Sequence, residues 1–329
     1  MNIFYLSCHE VLEYNDLQIL SNLGHNVISI GGYCNPQQPV NSPRPALDLK
    51  QHALAKNVEH IKICSNIDTV DQQIVEWADV IWITHRPDWL TNIAAQVGTK
   101  KQIILRTIGQ NTRQHENIIN QLKTLGYKLS VVRYSPMEFA TPQCQHVDRI
   151  IRFSCDSRLF SGWNGHIEGG IAVAQLLNRK QFTNTEFLVE ANKQLGVQLF
   201  GRLNEDVGIK ELTHDGFITA MQDHRYFLYT GTIPAPYTLS FIEALMMGIP
   251  IIALKNRGYS DNLYEVPSII ENEKNGFLAS SISDVKYYSE KLKDLDYAKT
   301  ISDNARKTAI ELFDHELIQS QWDQHLCSL

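Results

Sequence analysis

The stretch richest in chemistry runs from Tyr229 to Ala253, Y-T-G-T-I-P-A-P-Y-T-L-S-F-I-E-A-L-M-M-G-I-P-I-I-A. A strand should close at Thr230, a loop with Gly231, Pro234 and Pro236 turns the chain, and a helix opens near Thr238 to Ser240. Gly248 ends that helix and Pro250 precedes the next strand. A loop opening a helix is an anion site, because the first amide N–H groups lack intrahelical acceptors and the macrodipole adds positive charge there. Glu243 stands inside this helix. Plainer roles compete: Ser240-Phe-Ile-Glu243 fits a capping box, and Thr238 fits an N-cap as well as a phosphate contact.

Further candidates lie where strands are expected to end, since ligand groups gather at the carboxyl ends of strands in open α/β sheets. His85 follows the apolar run Val80–Thr84; it is either a site imidazole or a loop histidine bonded to backbone. Its neighbour Arg86 reads more readily as a solvated loop arginine than as a phosphate contact. In Arg106-Thr107-Ile108-Gly109-Gln110 the glycine permits a close backbone approach to a ligand, or marks a simple turn. His9 and Glu10 follow the first strand as polar contacts or an acid/base pair, against the plainer reading of a solvated loop.

These residues need a frame of alternating strands and helices. Apolar runs predict strands over Asn2–Leu6, Asn26–Ile30, Val80–Thr84, Gln102–Thr107 and Lys128–Val132, with room for a crossover helix between each pair. Between the first two, Val11 to Leu23 places Leu12, Leu17, Leu20 and Leu23 on one helical face, and Gly24-His25 stops it. From Glu138 to Val147 the pattern lapses around A-T-P-Q-C-Q-H-V, which predicts a linker. A second series follows: strand Arg149–Phe153, a loop with Gly162 and Gly165, a helix to about Asn178, and strands at Gly196–Phe200, Tyr226–Thr230 and Ile251–Leu254. Helices are expected over Ser283–Leu295 and Tyr297–Leu312, then a last one with Leu317, Ile318, Trp322 and Leu326 on one side. Two doubly wound Rossmann-like halves are the economical reading.

The chain has 329 residues, enough for two domains, with 43% apolar and 20% charged residues, which excludes a disordered or fibrous class. A net charge of -6 supplies no general field for a nucleic-acid backbone. The most apolar stretch, Leu239 to Leu254, is shorter than a bilayer span and is broken by Gly248 and Pro250, so no integral membrane association is expected. The start, M-N-I-F-Y-L-S-C-H-E, has no basic n-region and reads as a first strand, which makes the cytoplasm the expected compartment. Six scattered cysteines without a C-x-x-C pair fit reduced thiols rather than a zinc site or a disulfide framework.

Four segments in order carry a family resemblance: F-I-E-A-L-M-M-G-I-P-I-I-A from Phe241, I-I-E-N-E-K-N-G-F-L-A-S from Ile269, Ala305-Arg306, and L-F-D-H-E-L-I-Q-S-Q-W from Leu312. Together, over roughly residues 226–325, they resemble the C-terminal half of retaining GT-B glycosyltransferases of family 4, the glycogen-synthase-like group. The resemblance implies two Rossmann-like doubly wound domains facing a cleft: an acceptor-side domain over 1–147, a nucleotide-sugar-binding domain over 148–312, and a C-terminal crossover helix over 313–329 that returns to the first domain. It implies a hexosyl- or pentosyltransferase with a nucleotide-sugar donor as substrate, no cofactor and no metal.

By the same resemblance Glu243 meets the donor's ribose hydroxyls, the loop from Gly231 with the backbone of Tyr237, Thr238 and Leu239 cradles phosphate and sugar, and Asn275-Gly276 forms a closing turn. His85 matches a catalytic histidine facing the donor sugar, and Arg158 a basic residue near the diphosphate; Arg202, in F-G-R-L-N-E-D, falls on the wrong strand for that role. Two departures stand out. Ala235 replaces a Glu the family usually carries eight residues before the matching one, and His9-Glu10 stand where a Gly-rich acceptor loop is common. The acceptor could be a glycan, a small molecule or a modified nucleic-acid base. Competing readings are a nucleotide-sugar epimerase or phosphorylase, and a catalytically silent nucleotide-sugar-binding protein, which Ala235 supports.

Overall fold

In the computed structural model, residues 1–7, 9–34, 47, 67–140, 144–173, 180, 182–201, 209, 211–257 and 263–329 are described. The chain divides into two units: Met1–Ser154 with Glu316–Leu329, and Cys155–His315.

The first unit contains β1 (Asn2–Ser7), α1 (Glu10–Asn22), β2 (Asn26–Ser29), α2 (Gln72–Trp77), β3 (Val80–Thr84), α3 (Trp89–Val97), β4 (Gln102–Arg106), α4 (Arg113–Thr124), β5 (Leu129–Arg133), α5 (Pro136–Phe139) and β6 (Arg149–Ile150). Its strands are all parallel, in the order β2-β1-β3-β4-β5-β6 among the described residues. The nearly unbroken apolar runs of β3 and β4 follow from helices covering both faces. Ile81, Ile83, Ile103 and Leu105 point to one side with Leu90 and Ile93 of α3 and Ile119 of α4. Tyr5, Trp82 and Ile104 point to the other, with Leu17 and Leu20 of α1.

That second face also receives the chain's last helix, α12 (His315–Cys327), through Ile318, Trp322 and Leu326. The Trp322 ring lies 4.2 Å from that of Trp82, and Ser130 Oγ is 3.0 Å from His325 Nε2. Leu317, expected on the same side, is exposed instead, because it is one residue out of step with the buried positions. Beneath α12 a buried ion pair joins Arg106 to Asp16, and the Tyr5 hydroxyl donates to Asp16 at 2.7 Å.

The second unit contains β7 (Ile167–Val173), α6 (Thr185–Leu195), β8 (Gln198–Phe200), α7 (His214–Asp223), β9 (His224–Tyr229), α8 (Leu239–Met247), β10 (Ile251–Leu254), α9 (Val266–Ile269), β11 (Phe277–Ala279), α10 (Ile282–Lys291) and α11 (Leu295–Phe313). Its sheet is also parallel, in the order β11-β10-β9-β7-β8. The fold class is the expected one: two Rossmann-like α/β units with the C-terminal helix on the first.

Three expectations are corrected. The strand at Arg149–Phe153 is the short β6, paired to β5 through Val132↔Arg149, so it closes the first sheet rather than opening the second. The region Glu138 to Val147 is not simply a linker: Glu138 is buried and bonded to Thr107, Gly109 and Tyr134, while residues 141–143 lie outside the described set. The helix to about Asn178 is strand β7 over Ile167–Val173. Gly169 and Gly170 disfavour a helix there, and the bare backbone of Gly170 leaves room for the Tyr226 ring of β9. Residues 174–178 of that expected helix lie outside the described set.

Candidate active site

Each strand order reverses direction at one place, between β1 and β3 in the first unit and between β7 and β9 in the second. Connections leave such a switch point to opposite faces of the sheet, which opens a crevice at the carboxyl ends of the two strands. The candidate residues can be judged by their distance from these crevices.

In the first unit, Ser7 of β1 and Thr84 of β3 are register partners, so His9 and His85 stand just past the two strands that flank the switch point. His85 has φ 73°, an uncommon conformation for a non-glycine residue, and its N–H donates to the Arg106 carbonyl at 2.9 Å. Burial, with His9, Arg86 and His115 nearby, lowers its pKa to about 4. Burial likewise lowers that of His9 to about 4. Arg86 is clamped by Asp88, its Nε 2.8 and 3.1 Å from the two carboxylate oxygens, and stacks 4.7 Å over Trp89. Glu10, on the first turn of α1, is buried.

Gly109 has φ 74°, and its N–H donates to Glu138 Oε2 at 3.2 Å. The same oxygen accepts from the Thr107 hydroxyl at 2.5 Å. This amide therefore serves the turn after β4, the plainer of its two readings.

In the second unit the loop after β9 begins at Gly231, φ 73°, and ends at Thr238, the N-cap of α8. The Thr238 side chain makes no capping hydrogen bond to the helix. Its N–H and hydroxyl instead donate to the Tyr229 phenol oxygen at 3.0 and 3.2 Å, and its Oγ1 lies 2.9 Å from Ser240 Oγ. The N-cap thus lies two residues before Ser240, and the expected Ser240–Glu243 capping box does not form, because its serine is already helical. Glu243 sits half-buried, more than one turn inside α8. Tyr237 is buried against Phe241 and Phe313, so only its backbone suits a ligand role. Leu239 is the first residue of α8, and Ala235 is buried in the loop before it.

Two other expectations change. Arg158 and Gly162 to Gly165 precede β7 instead of following the sheet's first strand. Gly165 accepts from Arg225 near the start of β9, which puts this segment at the amino end of the strands, away from the switch point. The Arg158 side chain is exposed and paired with Asp156 at 2.8 Å. Asn275 is committed to structure: its Oδ1 accepts from Glu271 N at 2.7 Å, and its Nδ2 donates to Ile269 O and Thr308 Oγ1, both at 3.0 Å, with Gly276 leading into β11. Arg306 binds the carbonyls of Ser157, Phe160 and Met246, which explains its place in the motif series structurally. Arg202 lies outside the described residues.

One residue the sequence reading passed over belongs with this loop. Arg257, three residues beyond β10, is buried. Its Nη1 donates to Thr232 O at 2.6 Å, its guanidinium lies 4.2 Å over Tyr264, and a Cβ on Gly231 would come within 3.3 Å of Nη1. The strand-end rule that singled out His85 applies equally to Lys255-Asn256-Arg257. After β7 the connection carries Lys180, which is exposed and 3.8 Å from Glu186. Among the described residues no cluster of three or more His, Cys, Asp or Glu is placed to hold a metal ion, no helix is long and apolar enough to cross a membrane, and Cys34, Cys144, Cys155 and Cys327 are free.

The α/β fold is shared with solved glycosyltransferase structures. The chain is similar to sucrose-phosphate synthase from Thermosynechococcus elongatus, with TM-score 0.69 and 14% identity over 100% of this chain and 98% of the other. It is similar to Anabaena HepE in complex with UDP and glucose, with TM-score 0.71 and 15% identity over 100% of both chains. It is also similar to a glycosyltransferase from Rickettsia africae, with TM-score 0.67 and 16% identity over 98% and 97%. No family model and no curated protein matches the sequence. At these identities the likeness is one of fold.

Proposed function

We propose that the chain transfers a sugar from a nucleotide-sugar donor to a separate acceptor with retention of configuration, without a metal, in the cytoplasm. The start of α8 carries this reading. A helix whose N-cap side chain is drawn away to Tyr229 begins beside the second unit's switch point, with Glu243 just inside it. Helix-start amides and Arg257 suit a diphosphate, the loop from Gly231 through Tyr237, Thr238 and Leu239 suits phosphate and sugar by backbone contact, and Glu243 suits the ribose diol. His85 is the imidazole presented to the transferred sugar. Stabilising the leaving diphosphate by fixed dipoles and a guanidinium needs no reorganisation during the reaction. The fold shared with HepE, solved with UDP and glucose, makes uridine donors the first choice.

The test is release of nucleoside diphosphate from UDP-, GDP- and ADP-glucose in the presence of sugar acceptors. Turnover of at least one donor is expected; absence of both turnover and binding with all three contradicts the reading. Ala235 favours one alternative, a binding protein without activity, because no carboxylate occupies that buried position. Saturable binding with no diphosphate release or transfer would establish it.

A further inference from the structure

His85 holds φ 73°, a conformation that costs a non-glycine residue energy and persists where its surroundings enforce it. Two contacts do so here, and both lead back to one buried carboxylate. In the first, the His85 N–H donates at 2.9 Å to the carbonyl of Arg106, the β4 residue in register with Thr84, and the Arg106 guanidinium is ion-paired with Asp16 of α1. In the second, the preceding residue is fixed by its side chain. Trp82 Nε1 donates to Thr84 Oγ1 at 3.1 Å, and the Tyr5 hydroxyl lies 3.1 Å from the same oxygen. The one proton of the Tyr5 phenol goes to Asp16, at 2.7 Å, so the Thr84 hydroxyl must donate to Tyr5. The hydrogen bonds therefore run in one direction, from Trp82 through Thr84 and Tyr5 to Asp16.

Stability alone does not account for the pair. Arg106 and Asp16 are both fully buried, with Arg106 lying 4.8 Å over Phe153 and 5.2 Å over Trp322 of α12, and its Nη2 donating to Arg152 O at 3.3 Å. Apolar residues of similar volume in such a place often give as much stability or more. An ion pair adds direction instead, since a clamped planar guanidinium fixes the course of its own side chain back to the Cα and carbonyl. We propose that Arg106 and Asp16 are positioning residues: the pair sets the backbone of His85, through the Arg106 carbonyl and through Tyr5 and Thr84, and so aims its imidazole for sugar transfer. The proposal rests on the transfer reading, in which His85 faces the transferred sugar, and extends it to two buried residues behind that histidine.

The experiment uses the full chain and the double variant Asp16→Leu/Arg106→Met, which replaces the pair by apolar side chains. With whichever of UDP-, GDP- or ADP-glucose wild type turns over, and D-glucose or maltose as acceptor, kcat should fall at least tenfold while the melting temperature is kept and donor Kd stays within twofold, as expected when a group acting in the transition state is misplaced. The second readout is amide hydrogen exchange by NMR: the His85 amide should exchange at least tenfold faster, while that of Ile103, bonded to Lys128 O at the start of β4, keeps its wild-type rate. Should the double variant not fold, Tyr5→Phe decides, because it leaves the ion pair and cuts the second route alone; kcat at least threefold lower and His85 exchange at least threefold faster are expected. Wild-type kcat or wild-type His85 exchange in the deciding variant overturns the proposal, and so does equal acceleration at His85 and Ile103, the mark of general loosening. A wild-type chain that turns over none of the three donors overturns the transfer reading, whereas the exchange rate of His85 decides separately whether the pair positions it.

Discussion

The phenol oxygen of Tyr229 accepts both the N–H and the hydroxyl of Thr238, at 3.0 and 3.2 Å, so the last residue of β9 fixes the N-cap of α8 from outside the helix. The loop between them is thereby pinned at both ends, and the first-turn amides are spared a side-chain cap.

Tyr229→Phe keeps the ring contact with Phe241, 5.0 Å between centroids, but removes the acceptor for two donors. A loss of about 1–2 kcal/mol is expected in a denaturant titration, together with weaker nucleotide-sugar binding as the helix start loosens. An unchanged stability would mean that water replaces the phenol at no cost.

Glu13 gives a pH-dependent prediction. Its carboxylate is enclosed by α1 and the turn after β2, where it accepts from Ser29 Oγ at 2.6 Å and Tyr33 N at 2.9 Å, and burial raises its pKa to about 7. The folded value lies above the unfolded one, so the folded state holds its proton between about pH 4.5 and 7, and wild type loses stability as pH rises through that window. Glu13→Gln mimics the protonated form. It should therefore stabilise the protein by about 2–3 kcal/mol more at pH 8 than at pH 5. Equal effects at the two pH values would show that Glu13 titrates normally.

Trp322 tests the docking of α12. Its ring is fully buried beside Trp82 and 5.2 Å from the Arg106 guanidinium. Trp322→Ala should cost about 3–5 kcal/mol and expose residues 315–329 to limited proteolysis ahead of the rest of the chain. Protection equal to wild type would show that Ile318 and Leu326 suffice.

Much of this was legible because parallel strands buried on both faces read as plain apolar runs. Val80–Thr84 and Ile251–Leu254 coincide with β3 and β10, and His85 follows β3 directly, as its place after an apolar run implies. What failed depended on tertiary contacts. β6 is a strand only because the β5 edge is open to it, and β7 contains a Gly-Gly pair that local pattern alone does not resolve from a loop. Without the true first strand of the second sheet, Arg158 was assigned to the wrong end of it. Ser240 looked like an N-cap because the Tyr229–Thr238 contact, which starts the helix earlier, joins residues on opposite sides of a loop. Arg257 carries the same signal as His85, a position just past the end of a strand, here β10.

Glu243→Gln tests most directly whether the start of α8 binds the donor, by calorimetric titration with UDP-glucose or whichever of GDP- or ADP-glucose binds wild type. Ser240 lies inside α8, so Glu243 does not complete a capping box with it. Exchange of a charge-assisted hydrogen bond for a neutral one should weaken binding about tenfold, with the circular dichroism spectrum unchanged. A folded Gln variant that binds the nucleotide-sugar as tightly as wild type would contradict the account.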